Sequence, residues 1–350
     1  MTAVDRRTFL AAAVGVVAAP CCSFLGGSAL EAQSARWIDL HHHFAPPAWV
    51  TDVRGKPLLQ PANTRWTPEQ SVEDMDRGGV AAAVVSITNP GLWFGDPAQA
   101  KRLARACNDY GAKLVQDHPA RFGLFAAMPL PDVDATLREI EYALDTLKAD
   151  GIGLFTSYGG MWLGNPAFRP VMDELNRRKA VVTVHPTAAD CCRNLSYAPG
   201  IGPGTIEYGT DTTRAIIGIA FSGEATRCPD IKFIWSHAGG SAPFLAGRID
   251  GASGNAREAL PDGFIAAAKR FYYDTAGAAN KGALASLLQL VPPAQIVFGT
   301  DFPPGGTSAA VAKALADTGL FSANDLQSIG RDNAIGLVPR FGRDGAAGNR

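Results

Sequence analysis

Trp37-Ile38-Asp39-Leu40-His41-His42-His43-Phe44 is the stretch whose reading decides the fold. A short apolar run passes directly into three consecutive histidines. Side chains alternate along a strand, so His41 and His43 share one side and His42 takes the other. Two neutral imidazoles side by side at a strand end make half of a metal site. A chance histidine run beside a processing point is the bland alternative, and the rest of the chain decides between them.

Outward from this stretch, apolar runs alternate with helix-like segments. Strands are expected at 36–40, 80–87, 122–127, 151–155, 180–184, 231–236, 270–275 and 295–300. Helices are expected at 68–78, 97–118, 132–148, 166–179, 213–227, 242–257, 281–290, 307–318 and 323–337, and residues 45–67 are expected to form a long loop. Such alternation demands parallel pairing with right-handed crossovers. Eight units in about 315 residues fit a single (β/α)8 TIM barrel. A doubly wound open sheet is the alternative, but it would place a glycine-rich phosphate loop after the first strand, where this chain has histidines.

Composition excludes several classes. The net charge of −1 comes without any basic stripe, so nucleic acid is not an expected partner. No mature apolar run is long enough to span a bilayer, so no membrane is expected either. Residues 1–35 are different in kind: Arg6-Arg7 precedes the apolar run Phe9–Ala19, followed by small residues, which reads as a twin-arginine signal peptide and implies a periplasmic protein. If the leader does not function, the protein is cytoplasmic; lipidation at Cys21 or Cys22 is disfavoured by Pro20. The barrel domain is expected over 36–340, with a flexible tail at 341–350. Cys107, Cys191, Cys192 and Cys228 lack paired C-x-x-C spacing and read as free thiols.

In a barrel of this kind, groups at the strand C-terminal ends converge on one mouth. His41 and His43 end the first strand, His185 the fifth, His237 the sixth and Asp301 the eighth. Each has a bland reading as a core or turn residue. Four of the six histidines at strand ends make coincidence a poor account.

The motifs Asp39-x-His41-x-His43-Phe44, Val184-His185-Pro186, Ser236-His237-Ala238-Gly239-Gly240 and Gly299-Thr300-Asp301-Phe302-Pro303 resemble those of the metal-dependent amidohydrolase superfamily. More narrowly, they resemble its decarboxylase branch, which includes aminocarboxymuconate-semialdehyde decarboxylase. A closer likeness, to the 6-methylsalicylate decarboxylases, rests on Phe122–Pro129, Glu139–Phe155, Asp173–Thr187 and Asp211-Thr212-Thr213-Arg214. The resemblance implies that His41, His43, His185 and Asp301 ligate one divalent metal, zinc or alternatively manganese, and that His237 is the catalytic histidine. Binuclear relatives bridge two metals with a carboxylated Lys or a Glu on strand four; Gly151–Phe155 has neither, so one metal is implied.

The resemblance also matches Arg248 to an arginine that binds substrate carboxylate from the neighbouring subunit, which implies a homodimer. Its companion arginine has no clear match; Arg65 lies in the corresponding loop. The implied reaction is non-oxidative decarboxylation of a salicylate-like or unsaturated carboxylic acid, with Asp301, or His237 through a water, delivering the proton. A hydrolase such as a lactonase on the same mononuclear site is the alternative, since one fold hosts both. Trp49, Trp66, Trp93, Phe94 and Trp162 are candidates to stack on a substrate ring.

Overall fold

The computed structural model describes residues 37–187, 192, 198–202, 204–256 and 258–342. Among the described residues the main sheet has eight strands, β1 (Trp37–His43), β2 (Val80–Ser86), β3 (Phe122–Ala127), β4 (Gly151–Phe155), β5 (Val181–His185), β6 (Lys232–Trp235), β7 (Tyr272–Asp274) and β8 (Ile296–Val297). They pair in parallel, in sequence order. The residues after β8 return to β1: Leu40 N–H donates to Phe298 O at 2.9 Å, and His43 N–H to Phe302 O at 2.8 Å. This contact brings the last strand back to the first, so the sheet is a nearly closed barrel and the open-sheet alternative falls.

Barrel strands buried on both faces explain the near-continuous apolar runs from which they were legible. Ile38, Leu40, Ala82, Val84, Phe125, Val181, Ile234 and Val297 fill the interior, and Leu337, Val338 and Phe341 close its lower end. Phe341 is buried, so the packed chain continues past residue 340, where the tail was expected to begin. Arg340 seals the same end, donating to both carboxylate oxygens of Asp150 at 2.5 and 2.9 Å and to Phe122 O at 2.6 Å. Residues 1–36 and 343–350, and with them the leader, lie outside the described residues.

Most expected elements appear, with informative differences. Two short helices, Pro47–Val53 and Pro61–Thr64, interrupt the expected loop at 45–67. Each opens on a proline preset for a helical first turn, and the first buries Trp49 and Val53. The helix expected to start at Thr213 starts at Gly204 and runs to Phe221, because its glycine-rich first turns resemble a loop in sequence. The helix expected over 132–148 is α-helical over Val133–Glu141 and widens into a π-turn at Tyr142–Thr146.

One local irregularity aims the histidines. Asp39 pairs with Ala83 and His42 with Val85, so three steps along β1 face two along β2. A bulge of this kind places one extra residue in the strand and resets its alternation. Ile38 and Leu40 point into the barrel, and beyond the bulge His41 and His43 face the mouth instead of His42.

Candidate metal centre

His41 and His43 rise from the end of β1, His185 from the end of β5, and Asp301 from the turn after β8. One ligand-capable atom from each of these four lies within 4.8 Å of those of the others. The sequence expectation for this quartet is met in space. The His41 and His43 Nε2 atoms are 3.1 Å apart, and Asp301 Oδ1 is 2.8 Å from His43 Nε2 and 3.4 Å from His41 Nε2.

The partners of the opposite ring nitrogens fix the tautomers. His41 Nδ1 donates to Asp274 Oδ2 at 2.7 Å, His43 Nδ1 to Ser86 O at 3.2 Å, and His185 Nδ1 to Pro186 O at 2.8 Å. Every ring therefore directs the Nε2 lone pair toward one point. Two such lone pairs at 3.1 Å repel unless a proton or a cation sits between them, which is the donor set of a divalent metal site. Without a cation, a proton serves. Burial alone would push the His41 imidazole down, but Asp274 and Asp301 beside it lift it to about 10. Burial, with His43 and His41 nearby, pushes His185 well below its ordinary value. Burial likewise opposes the Asp301 carboxylate, but His237, His41 and His43 outweigh it and hold the group well below the usual carboxylate range.

The backbone is shaped for these contacts. A Cβ on Gly299 would stand 2.7 Å from His41 Cβ, so this position just past β8 must lack a side chain for His41 to fit. Asp301, His237 and Ala238 all adopt left-handed φ, at 59°, 56° and 55°. Non-glycine residues hold such values only where their surroundings dictate them, and functional sites collect them. The His237 turn is held by its N–H donating to Asp274 Oδ1 at 2.8 Å, and His237 Nε2 stands 3.7 Å from Asp301 Oδ2. His237 thus borders the quartet without joining it.

Asp274 was missed in sequence. It grips His41 with one oxygen and the His237 and Ala276 N–H groups with the other. It ends β7, the one signal that could have found it. Asp39 works on the outer side of β1, accepting from His42 Nδ1 at 3.0 Å, the His41 N–H at 2.9 Å and the Thr300 hydroxyl at 2.6 Å. His42 also meets Ser71 Oγ at 2.8 Å, and has no role in the cluster, as its outward direction required.

A cleft of about 840 Å³ opens above the cluster. Leu58, Leu59 and Pro61 form one wall, Ile206, Tyr208 and Gly209 another, with His237, Gly277 and Asp301 at the base. Gly277 leaves His237 room: a Cβ there would lie 3.2 Å from its Cδ2. None of the five expected ring-stacking aromatics lines this cleft. Trp49 and Trp66 are buried with their indole N–H groups donating to Gly91 O and Ser71 Oγ. Trp93 and Phe94 border a separate small pocket, and Trp162 donates to Asp211 at 2.6 Å. Trp49 lies in the helix Pro47–Val53 and Trp162 in the short strand Met161–Trp162 instead of in loops, and packing sets the direction of all five side chains.

Arg248 is exposed on the helix Ala242–Asp250 and does not line the cleft of its own chain; Arg65 is exposed as well. Cys107 and Cys228 are buried free thiols, and burial pushes both up, away from thiolate reactivity. Cys191 lies outside the described residues.

Known proteins agree with this geometry. The chain is 38% identical over 327 residues to decarboxylase yanB of Aspergillus niger, covering 87% of this chain and 88% of that protein. It is 37% identical over 284 residues to a 6-methylsalicylic acid decarboxylase of Penicillium expansum, covering 76% and 84% respectively. Among solved structures, an amidohydrolase II superposes with a TM-score of 0.79 at 28% identity, covering 87% of this chain and 99% of that one. The amidohydrolase family profile matches residues 38–340, the whole barrel and its mouth, and the chain belongs to that family.

Proposed function

We propose that this protein is a metal-dependent, non-oxidative carboxy-lyase that removes CO2 from a salicylate-like acid. The convergence of three Nε2 lone pairs and the Asp301 carboxylate at the floor of an open cleft carries the reading. Relatives bearing decarboxylase names at 37–38% identity support the reaction type. His41, His43, His185 and Asp301 are the proposed ligands. Three imidazoles and one carboxylate suit zinc, with manganese the alternative that metal analysis would distinguish.

A divalent ion held by these residues would act as a Lewis acid toward substrate oxygen. The chain's own groups do the rest. The bond from the ring to the carboxylate carbon breaks, CO2 leaves, and the electron pair left on the ring carbon takes up one proton. His237 is the proposed proton carrier; its Nε2 faces the cleft 3.7 Å from Asp301 Oδ2, and Asp301 is the alternative donor.

We also propose a homodimer in which Arg248 reaches the partner's cleft. It stands exposed one turn from Phe244, itself 83% exposed, so both occupy a face suited to association. The Arg6-Arg7 leader supports export to the periplasm. The deciding experiment supplies hydroxybenzoates, including 6-methylsalicylate, to the metal-loaded protein and weighs the product. CO2 release with loss of 44 mass units (from the formula of CO2, about 44) supports the reading. Products that gain water from a lactone panel, with no CO2 released, overturn it in favour of a hydrolase.

A further inference from the structure

The cleft presents a recognition problem. Among the described residues lining it, none is Lys or Arg, although the proposed substrate is an anion. Within one chain, polar recognition above the cluster falls to neutral donors. Thr210 is committed, its hydroxyl donating to Ile206 O at 3.0 Å. Tyr208 is placed differently. Its ring meets that of His185 edge-on with centroids 6.4 Å apart, and its hydroxyl is close enough to Asp301 to feel that carboxylate. It therefore stands between the cleft wall and the floor where the reacting group must lie.

The turn that carries Tyr208 is fixed in place. One turn on, Asp211 accepts from the Thr156 hydroxyl at the end of β4, from Trp162 Nε1 at 2.6 Å and from the Thr187 N–H just past β5 at 3.4 Å. Asn89 adjoins the Tyr208 hydroxyl and donates to Pro186 O at 3.0 Å, the same carbonyl that holds His185 Nδ1. The phenol is thus tied to the rigid barrel ends that also orient a ligand histidine, so its donor is preorganised.

We propose that the Tyr208 hydroxyl is a substrate-contacting donor that orients an anionic oxygen of the acid over the His41–His43–His185–Asp301 cluster. This rests on the carboxy-lyase reading for the identity of the acid, but not for the presence of the contact. Charged hydrogen bonds are strong and directional, so a single donor here selects an acid whose anionic oxygen faces the helix Gly204–Phe221.

The test uses Tyr208→Phe, which keeps the ring and removes only the hydroxyl. The probe is 3-methyl-2-nitrophenol, in which a nitro group stands where 6-methylsalicylate has its carboxylate and cannot be released. Its visible absorbance is titrated against the metal-loaded proteins, and metal content is measured in parallel. Expected are binding weakened about 10-fold or more, a KM for the acid raised in proportion, and unchanged metal content. Equal binding by the variant, no binding by the wild type, or weakened binding accompanied by metal loss would each overturn the proposal. Wild-type protein that binds the nitrophenol yet releases CO2 from no acid leaves the Tyr208 contact measurable and removes the carboxy-lyase reading alone.

Discussion

Asp274 holds His41 and His237 at once, accepting from His41 Nδ1 at 2.7 Å through one oxygen and from the His237 N–H at 2.8 Å through the other. One carboxylate at the end of β7 thereby sets both the tautomer of a proposed ligand and the turn that presents the proposed proton carrier. Replacing it with Asn keeps the shape and removes the charge. Asp274→Asn is expected to weaken metal binding by about 10- to 100-fold, read by competition with a chelator. Affinity equal to wild type would mean that Asp274 serves the fold and not the metal.

The four converging side chains make a sharper prediction. Substituting His185 by Ala removes one proposed donor and opens space at a buried site. His185→Ala and Asp301→Ala are expected to be purified with well under one metal per chain and to lose activity by about a hundredfold or more. His42→Ala, on the opposite side of the same strand, should keep its metal while losing stability, because it abandons Asp39 and Ser71 in the core. Metal loss in His42→Ala equal to that in His185→Ala would contradict the assignment of faces.

The metal-free protein should show a characteristic response to pH. His41 is raised from 6.5 to about 10, so the stability it contributes is complete below 6.5 and disappears as pH climbs through about 10. Asp301 is held below its ordinary 3.8, so its contribution is present above that value and lost as pH falls further. Maximal stability of the metal-free form is therefore expected between these limits. A bound cation replaces the shared proton, so the loaded form should not lose stability between pH 6.5 and 10 for this reason, and metal uptake should release protons. Melting curves of both forms across pH check this; parallel curves would count against a proton lodged at His41.

At the other end of the barrel, Arg340 ties the segment after the last helix to Asp150 and to the start of β3. Arg340→Ala strands a carboxylate that is only 7% exposed. A loss of about 2 kcal/mol is expected, seen as a lowered urea midpoint. Turnover per bound metal should not change, since the clamp lies opposite the mouth. A fall in turnover without a fall in stability would mean that the two ends are coupled.

Much of this architecture was readable in the chain because parallel barrel strands are apolar on both faces and ligands cluster at their ends. His41, His43, His185, His237 and Asp301 were found for that reason. Asp274 was not, because β7 is short and its acidic end resembles an ordinary strand terminus. Tyr208 was hidden by the glycines at 202, 204 and 209, which suggested a loop where the cleft helix begins. The tryptophans failed in the opposite way: loop position predicts nearness to the mouth, but only packing decides which way an indole turns.

The meeting of β1 with the residues after β8 has a consequence for how the molecule comes into being. His43 and Asp301 are separated by 258 positions, and Arg340 reaches back 190 to Asp150. The β1 histidines and Asp301 come from opposite ends of the sequence to the same mouth, and closing so long a loop is slow. A growing chain carries the two β1 histidines from the outset, yet has no complete nest for an ion until nearly all of it has been synthesised. Capture of the ion is then a late event that staples the ends together, and resistance to proteolysis should appear with loading and not with collapse.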